Sequence, residues 1–183
     1  TQGDTEVILA LYEKYGREML SHLPGMFAFA IWDEQKQELF AARDRFGEKP
    51  FYYAFGRHGE FIFASEIKAI FASGLIDPEI DESQVAWYLN MSYVNPMKTV
   101  YKNIYTLPPA HFLYYRDGEM SVGRYWSLPQ TMTGLSDAEA VEGFKELFEQ
   151  SVRRQLVADV PVCAFLSGGL DSGTVVAIAS EYA

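Results

Sequence analysis

Between Met26 and Ala64 the sequence repeats one device four times: a short apolar, aromatic-rich run. The runs are Met26–Trp32, Leu39–Arg43, Phe51–Phe55 and Phe61–Ala64. Each has the length of a strand. The spacers Asp33-Glu34-Gln35-Lys36-Gln37 and Gly56-Arg57-His58-Gly59 suit antiparallel hairpins. Met26–Trp32 shows little polar alternation, which predicts a strand buried on both faces. Phe27, Phe29, Trp32, Phe40, Phe51, Tyr53 and Phe63 fall at strand spacing. They are expected to pack between a sheet and a covering layer rather than around a cofactor.

Helical patterns flank these strands. Val7, Ile8, Leu11, Tyr12 and Tyr15 share one face of a helix that Asp4-Thr5-Glu6 opens, with Asp4 or Thr5 as N-cap and Gly16 as the stop. A helical turn over Arg17–Leu23 follows. Ser65–Ser73 reads as a helix with Gly74 at C′. Asp81–Leu89 reads as another, capped by Asp81 with Gln84 at the capping-box position. Asn90–Pro109 is irregular, holding Pro96, Pro108 and Pro109. Phe112–Tyr115 and Ser121–Trp126 make a hairpin across Arg116-Asp117-Gly118-Glu119. Arg43-Asp44-Arg45, followed by Gly47 and Pro50, is expected to be an ion-paired structural turn. Glu66 and Lys68 are expected on a solvated helix face.

The composition changes at Ser127–Ser136, which reads as a linker. Beyond it, Asp137–Val157 has the clearest helical period in the chain. Its expected buried stripe is Ala140, Val141, Phe144, Leu147, Phe148, Ser151, Val152 and Leu156, with Ser136 as N-cap. Val160–Leu166 is then predicted as a strand with Pro161 at its start. Ser167–Gly173 is a loop, and Thr174–Ala179 leads into a helix. The predicted organisation is an α+β region over 1–126, a linker over 127–136, and the opening of an α/β region over 137–183.

Composition excludes several function classes. A formal net charge of −10 disfavours binding to nucleic-acid phosphates and to anionic membranes. Cys163 is the single cysteine, so no intrachain disulfide forms, and it is expected to be a small core residue. His22, His58 and His111 lie far apart, and no Cys/His spacing resembles a zinc site. Neither a membrane-length apolar run nor a signal peptide is visible. The chain opens on Thr1 and closes inside a helical pattern, so a piece of a longer protein is expected.

The loop Ser167-Gly168-Gly169-Leu170-Asp171-Ser172-Gly173 carries the clearest chemistry. Glycines let backbone N–H groups approach an anion, and a helix starting near Asp171 aims more of them at the same point. Ser167 and Ser172 can donate hydroxyl hydrogen bonds. Asp171 can hold a magnesium ion bound to phosphates. No lysine follows the glycines, so this is not a Walker loop, and the Gly-x-Gly-x-x-Gly fingerprint is absent.

The loop resembles the Ser-Gly-Gly-x-Asp-Ser loop of the N-type ATP pyrophosphatases. That resemblance implies ATP and Mg as cofactors. It places Leu166, Ser167, Gly168, Gly169, Asp171 and Ser172 at the nucleotide, with Asp171 tied to the metal through the phosphates. Gly173 stands where relatives often carry serine.

Upstream, the stretches Gly25–Asp33, Ala42–Tyr53, Phe63–Ala69 and Leu107–His111 resemble the class II glutamine amidotransferase domain of the glutamine-hydrolysing asparagine synthetases. The implied fold is a partial Ntn-hydrolase-type glutaminase domain joined to the start of an adenine-nucleotide α-hydrolase-like domain. The implied activity hydrolyses glutamine to glutamate and ammonia and adenylates aspartate with ATP. Ammonia then displaces AMP from β-aspartyl-AMP, giving asparagine. Gly3-Asp4 matches the stretch whose aspartate holds the α-amino group of glutamine, so Asp4 is the glutamine-binding candidate. The family nucleophile, an N-terminal cysteine, has no counterpart here. No catalytic residue is therefore assigned, and the 183-residue piece is expected to be inactive alone. The implied partners are the small molecules glutamine, aspartate and ATP, with no nucleic acid and no membrane. A cytoplasmic location and a homodimer are compatible with the resemblance. Two alternatives stay open. One is an enzyme of the same architecture acting on another carboxylate, as β-lactam synthetases, lasso-peptide cyclases and antibiotic- or sugar-modifying amidotransferases do. The other is a non-catalytic scaffold.

Overall fold

The side-chain alternation of one central strand sets the layers of the first unit. In the computed structural model, which describes residues 3–130 and 134–182, the strands are β1 (Ala28–Asp33), β2 (Glu38–Arg43), β3 (Tyr52–Phe55), β4 (Phe61–Ala64), β5 (Ile104–Thr106), β6 (His111–Arg116) and β7 (Glu119–Arg124). Along β2, Phe40 and Ala42 enter a core with Met19, Leu20 and Ile31. Ala41, between them, enters a second core with Phe51, Tyr53, Leu107 and Leu113. Successive side chains leave opposite faces of a strand, so β2 is buried on both.

Two antiparallel sheets result, ordered β1-β2-β6-β7 and β4-β3-β5. Ile31 faces Phe40 and Ala41 faces Leu113 in the first; Tyr53 lies between Phe63 and Tyr105 in the second. The outer face of the first sheet is covered by α1 (Asp4–Tyr15) and a 3₁₀ turn over Gly16–His22, through Ile8, Leu11, Met19 and Leu20. The outer face of the second is covered by α2 (Ile67–Ala72), whose Ile70 joins Ala54, Ile76 and Ile104. The layers therefore run helix, sheet, sheet, helix: α+β with antiparallel sheets, as the hairpin spacings predict. α3 (Glu82–Met91) follows.

Several local expectations change. β1 is an edge strand of the described sheet with Trp32 51% exposed, yet it packs on both faces as its apolar run predicts: Phe29 and Ile31 join the Phe40 core, and Ala28 and Ala30 pack against the Ala41 core. Phe29 packs edge-on against Phe40 of β2. Phe63, like Trp32, is exposed, although it stacks on Phe51. β5 lies inside the stretch read as irregular. At three residues it is too short to show a period, and its pairing with β3 defines it. The N-cap of α1 is Gly3, with no side-chain cap, and Asp4 is the first helical residue. Asp81 does cap α3, accepting from Ser83 N. Gln84 does not return the bond: its Nε2 donates to Ser83 Oγ, and its buried Oε1 has no partner among the described residues.

The chain divides after Leu128 into a second unit. Residues 131–133 of the predicted linker lie outside the described residues. The unit holds α4 (Asp137–Gln155) and α5 (Leu170–Ala179). Ser136 caps α4, as its sequence position predicts, and forms a reciprocal box with Glu139. Tyr182 donates from Oη to Glu149 and lies under the Arg153 guanidinium, tying the end of the unit to α4. Val160–Leu166 is not a strand. A strand exists by pairing, and the described residues of this unit offer no second strand. For the same reason Cys163 is exposed rather than buried. Of the predicted α4 stripe only Val152 is buried, and Val141, Phe144 and Leu147 are exposed. No helix among the described residues is long and apolar enough to cross a membrane.

Two features of the first unit give tests. Tyr12 Oη donates to Asp33 Oδ2 at 3.3 Å, and Lys36 Nζ sits 2.8 Å from the same oxygen, tying α1 to the β1–β2 turn. The Lys36 hydrogen bond is the main cause that holds the Asp33 carboxyl below its usual 3.8. A lowered folded value means that this tether stabilises above pH 3.8 and fades as the pH falls through the folded value. Asp33→Asn is therefore expected to flatten the acid side of a urea-midpoint-against-pH curve. At Gly123 of β7, an added Cβ would stand 2.4 Å from Phe112 Cζ. That ring lies beneath the Arg17 guanidinium and packs on the Phe40 core, so it has little room to yield. Gly123→Ala is expected to cost about 1–3 kcal/mol by overpacking, read as a drop in denaturation midpoint.

Candidate functional site

The chain turns sharply after β2, and the turn is organised by one carboxylate. Asp44 is 0% exposed. Its Oδ1 accepts from Phe46 N at 3.1 Å and Glu48 N at 3.0 Å. Its Oδ2 accepts from Lys49 N at 2.9 Å and Phe27 N at 3.3 Å. Its own N–H donates to Phe27 O at 2.9 Å, and its carbonyl accepts from Ala110 N at 2.8 Å. A buried carboxylate can be kept charged by backbone dipoles when several N–H groups converge on it. The expectation of an ion-paired turn is thus corrected: neither Arg43 nor Arg45 pairs with Asp44 among the described residues. An aspartate whose side chain caps N–H groups two or more residues on is the sequence signal that points to such a turn.

Arg43 completes the turn from the other side. Its Nε donates to Lys49 O at 2.7 Å, and Nη2 donates to Gly47 O at 2.7 Å. Nη1 donates to Leu107 O at 2.8 Å and to Thr106 Oγ1 at 3.1 Å. Burial lowers the guanidinium pKa from its ordinary value. Gly47 has φ +69, and a Cβ there would stand 2.8 Å from Pro109 Cγ. Only glycine fits. Tyr125 Oη donates to Arg43 O at 2.9 Å. Its phenol is pushed up to about 12, mainly by burial and then by the Asp44 charge.

This turn forms one wall of a cleft of about 630 Å³. Asp4 and Val7 of α1 line it, with Leu23, Phe27, Lys49 and Ser65. Asp44 therefore bonds to the backbone of two residues in the cleft wall, Phe27 and Lys49. Asp4, the predicted glutamine contact, stands in the first turn of α1 with its carboxylate free of partners among the described residues. Lys49 and Ser65 fall within the stretches Ala42–Tyr53 and Phe63–Ala69 that carry the amidotransferase resemblance, but nothing in those stretches singles them out as cleft residues.

In the second unit the predicted loop residues come together at the N-terminus of α5. Gly168 has φ +78, a conformation that favours glycine. Gly169 is the N-cap in extended conformation, and the helix runs from Leu170. Ser167 Oγ and Ser172 Oγ lie 2.8 Å apart, and Ser172 Oγ also donates to Gly169 O at 3.3 Å. The first-turn N–H groups of Leu170, Asp171 and Ser172 have no intrahelical acceptors, so the site presents partial positive charge. Asp171 is exposed in that turn. Leu166 precedes the loop and is exposed. Gly173 is helical, donating to Gly169 O at 3.0 Å, with open space where a side chain would stand. No group of three or more His, Cys, Asp or Glu among the described residues could hold a metal ion unaided.

Residues 1–126 match the family model described as the glutamine amidotransferase domain. The chain belongs to that family. Residues 143–183 match the model described as asparagine synthase. The chain is 41% identical to the glutamine-hydrolyzing asparagine synthetase 3 of Bacillus subtilis, over 98% of this chain and 29% of the relative. It is 38% identical to the amidase chry2 of Gibberella zeae, over 98% of this chain and 27% of the relative. It thus spans less than a third of the length of these two relatives. A solved glutamine phosphoribosylpyrophosphate amidotransferase of B. subtilis, complexed with ADP and GMP, aligns with TM-score 0.49 and 19% identity, covering 99% of this chain and 38% of that one. Within the amidotransferase unit the Asp44 turn gives a direct test. Asp44→Ala removes the acceptor of four backbone N–H groups and empties a buried site, and is expected to cost roughly 3 kcal/mol of stability. Asp44→Asn keeps one acceptor oxygen and should cost less. A denaturant midpoint for Asp44→Ala equal to wild type would contradict this account of the turn.

Proposed function

We propose that the whole protein is a glutamine-dependent asparagine synthetase, a ligase. The observation that carries this is the loop at the N-terminus of α5, in a segment that matches asparagine synthase and follows an amidotransferase unit. In this reading the second unit is the opening of an ATP pyrophosphatase-type α/β domain, and the first is of Ntn-hydrolase type. The N–H groups at Gly169–Ser172 and the hydroxyls of Ser167 and Ser172 take the pyrophosphate part of ATP. Leu166 and Gly168 shape the approach to it.

Asp171 fits a magnesium ion held through the phosphates: its carboxylate is exposed in the first turn of α5, beside the loop that would take them. When bound, the ion would neutralise charge on the phosphates. In the first unit Asp4 takes the α-ammonium of glutamine, as a charge-assisted hydrogen bond favours. Ammonia released from the glutamine amide would displace AMP from β-aspartyl-AMP. Substrates are small molecules in the cytoplasm, no nucleic acid or membrane takes part, and a homodimer is the proposed assembly.

A second reading keeps the architecture and changes the acceptor. The amidase chry2 is nearly as similar as the asparagine synthetase, so another carboxylate could take the place of aspartate. The full-length protein, incubated with Mg-ATP and glutamine, separates the two. AMP and pyrophosphate release that requires aspartate and yields asparagine supports the first reading; release indifferent to aspartate supports the second. In either case Asp171→Ala is expected to lower kcat/KM for ATP on the order of 100-fold, and Gly168→Ala to weaken ATP through strain at its left-handed backbone. No AMP release under any condition would remove both.

A further inference from the structure

We propose that a cavity beside Arg43, separate from the Asp4 cleft, is a binding site for a small organic anion with an apolar body: a short branched or aromatic monocarboxylate. The proposal does not rest on the glutamine reading of the cleft.

The cavity measures about 320 Å³ and lies within the first unit. That is the lower end of the range for small-molecule pockets. The end of β2 supplies Arg43, β3 supplies Tyr52 and α2 supplies Ile67. The segment after α3 supplies Val94, Lys98 and Val100. The walls are mostly apolar, and among the described residues no carboxylate lines them. The cavities lined by Arg17, by Asp4 and by Leu9 each include an aspartate or a glutamate, as expected of a chain with 25 acidic and 15 basic residues. This one holds two cations instead.

Three groups on these walls have donors to give. Arg43 Nη2 carries two N–H groups and makes one bond, to Gly47 O. Every acceptor on Arg43 is neutral, a carbonyl or Thr106 Oγ1, and it forms no ion pair among the described residues. Its sequence neighbour Asp44 turns both oxygens to backbone N–H groups instead. A half-buried cation without a counter-ion is poorly stabilised, which agrees with the lowered guanidinium pKa. The Tyr52 side chain stands near enough to interact electrostatically with Arg43, and its hydroxyl has no hydrogen-bond partner among the described residues. Lys98 is exposed and forms no ion pair among the described residues. It interacts at longer range with Asp81, whose Oδ1 is held by Ser83. The four bonds of Arg43 serve the turn. They leave unexplained why two cations and an unpartnered phenol line one apolar cavity. A carboxylate answers all three, and a hydrocarbon body covers Ile67, Val94 and Val100. Inorganic phosphate would meet the donors but leave those walls to water, so the anion carries a body.

Titration calorimetry on the full-length protein tests this, with 4-methylpentanoate, its neutral amide 4-methylpentanamide and acetate as probes. 4-Methylpentanoate is expected to bind at one site per chain with Kd on the order of 0.1–1 mM. The amide, which lacks the charge, is expected to bind on the order of 10-fold more weakly, and acetate, which lacks the body, at least as weakly as the amide. Lys98→Met and Tyr52→Phe are each expected to weaken 4-methylpentanoate roughly 3- to 10-fold. Val94→Trp, which fills the cavity from an exposed position, is expected to abolish binding. Arg43 is left intact because it builds the turn. Thermal melts of the variants guard against unfolding, and Lys98→Glu, a charge reversal at an exposed position, serves if Val94→Trp fails to fold. A wild type that does not bind 4-methylpentanoate at millimolar concentration overturns the proposal. Equal binding of acid and amide overturns it too, since the site would then not select an anion. Binding left unchanged by both Val94→Trp and Lys98→Glu places the anion elsewhere, and the proposal is wrong.

Discussion

The first unit depends on the buried carboxylate of Asp44. One charged group, fully withdrawn from solvent, replaces water with four backbone N–H donors drawn from three places in the chain: the approach to β1, the turn itself and the residue before Pro50. Because a desolvated carboxylate left short of donors is costly, those segments cannot separate one at a time. Arg43 repeats the device with opposite sign, spending its guanidinium on carbonyls. The two neighbours thus solve the same problem without pairing with each other. Each makes bonds to backbone, which fixes chain geometry more tightly than a side-chain ion pair would. Arg45 then lies over Trp126 and Phe46 packs edge-on against the same ring, so the turn also grips the strand end from which the chain leaves the unit.

How far this was legible in the sequence depends on the range of the interaction. Hairpins and helices with local signals could be read directly: β2, β3 and β4 fall on the predicted runs, and Gly16 and Gly74 stand where helices stop, with φ +53 and +70. Ser136 stands as the N-cap its position predicts, and its bonds with Glu139 close within four residues. What could not be read depends on partners far along the chain. The apolar composition of β1 predicts packing on both faces but not its place at the edge of the described sheet, which is decided by β6 joining β2 instead. β5 has no period of its own. Asp44 stands in a run of charges, and charge alternation in sequence says nothing of the N–H groups that Phe27 and Lys49 bring from either side.

The second unit failed its predictions in the opposite way. The periodicity of α4 and the apolar run before the loop are real properties of the sequence, but burial is a property of what lies opposite. Val160, Phe165 and Leu166 have the composition of a strand inside a parallel sheet, where neighbouring strands and covering helices would take them from water. With no second strand in the described residues, that composition leaves them exposed. The loop keeps its form regardless, because its bonds are local: Ser167 to Ser172, Ser172 to Gly169, Gly173 to Gly169. A site built from short-range contacts can thus be recognised from its own segment, whereas a core cannot.

The two candidate sites also differ in the kind of charge they offer, and that difference matches the ligands proposed for them. The loop presents dipoles: several N–H groups and two hydroxyls spread over a helix start, suited to the diffuse negative charge of a pyrophosphate. Its carboxylate, Asp171, would repel that group unless a cation came between, which is why a magnesium ion belongs to the proposal. The cleft presents the full negative charge of Asp4 among largely apolar neighbours such as Val7, Leu23 and Phe27, suited to the ammonium of a small molecule. Dipoles converging on a point tolerate variation in the anion, whereas a single full charge favours one partner of opposite sign. The Asp44 turn fixes the backbone of Phe27 and Lys49 in the cleft wall, while the loop at α5 is held by its own local bonds.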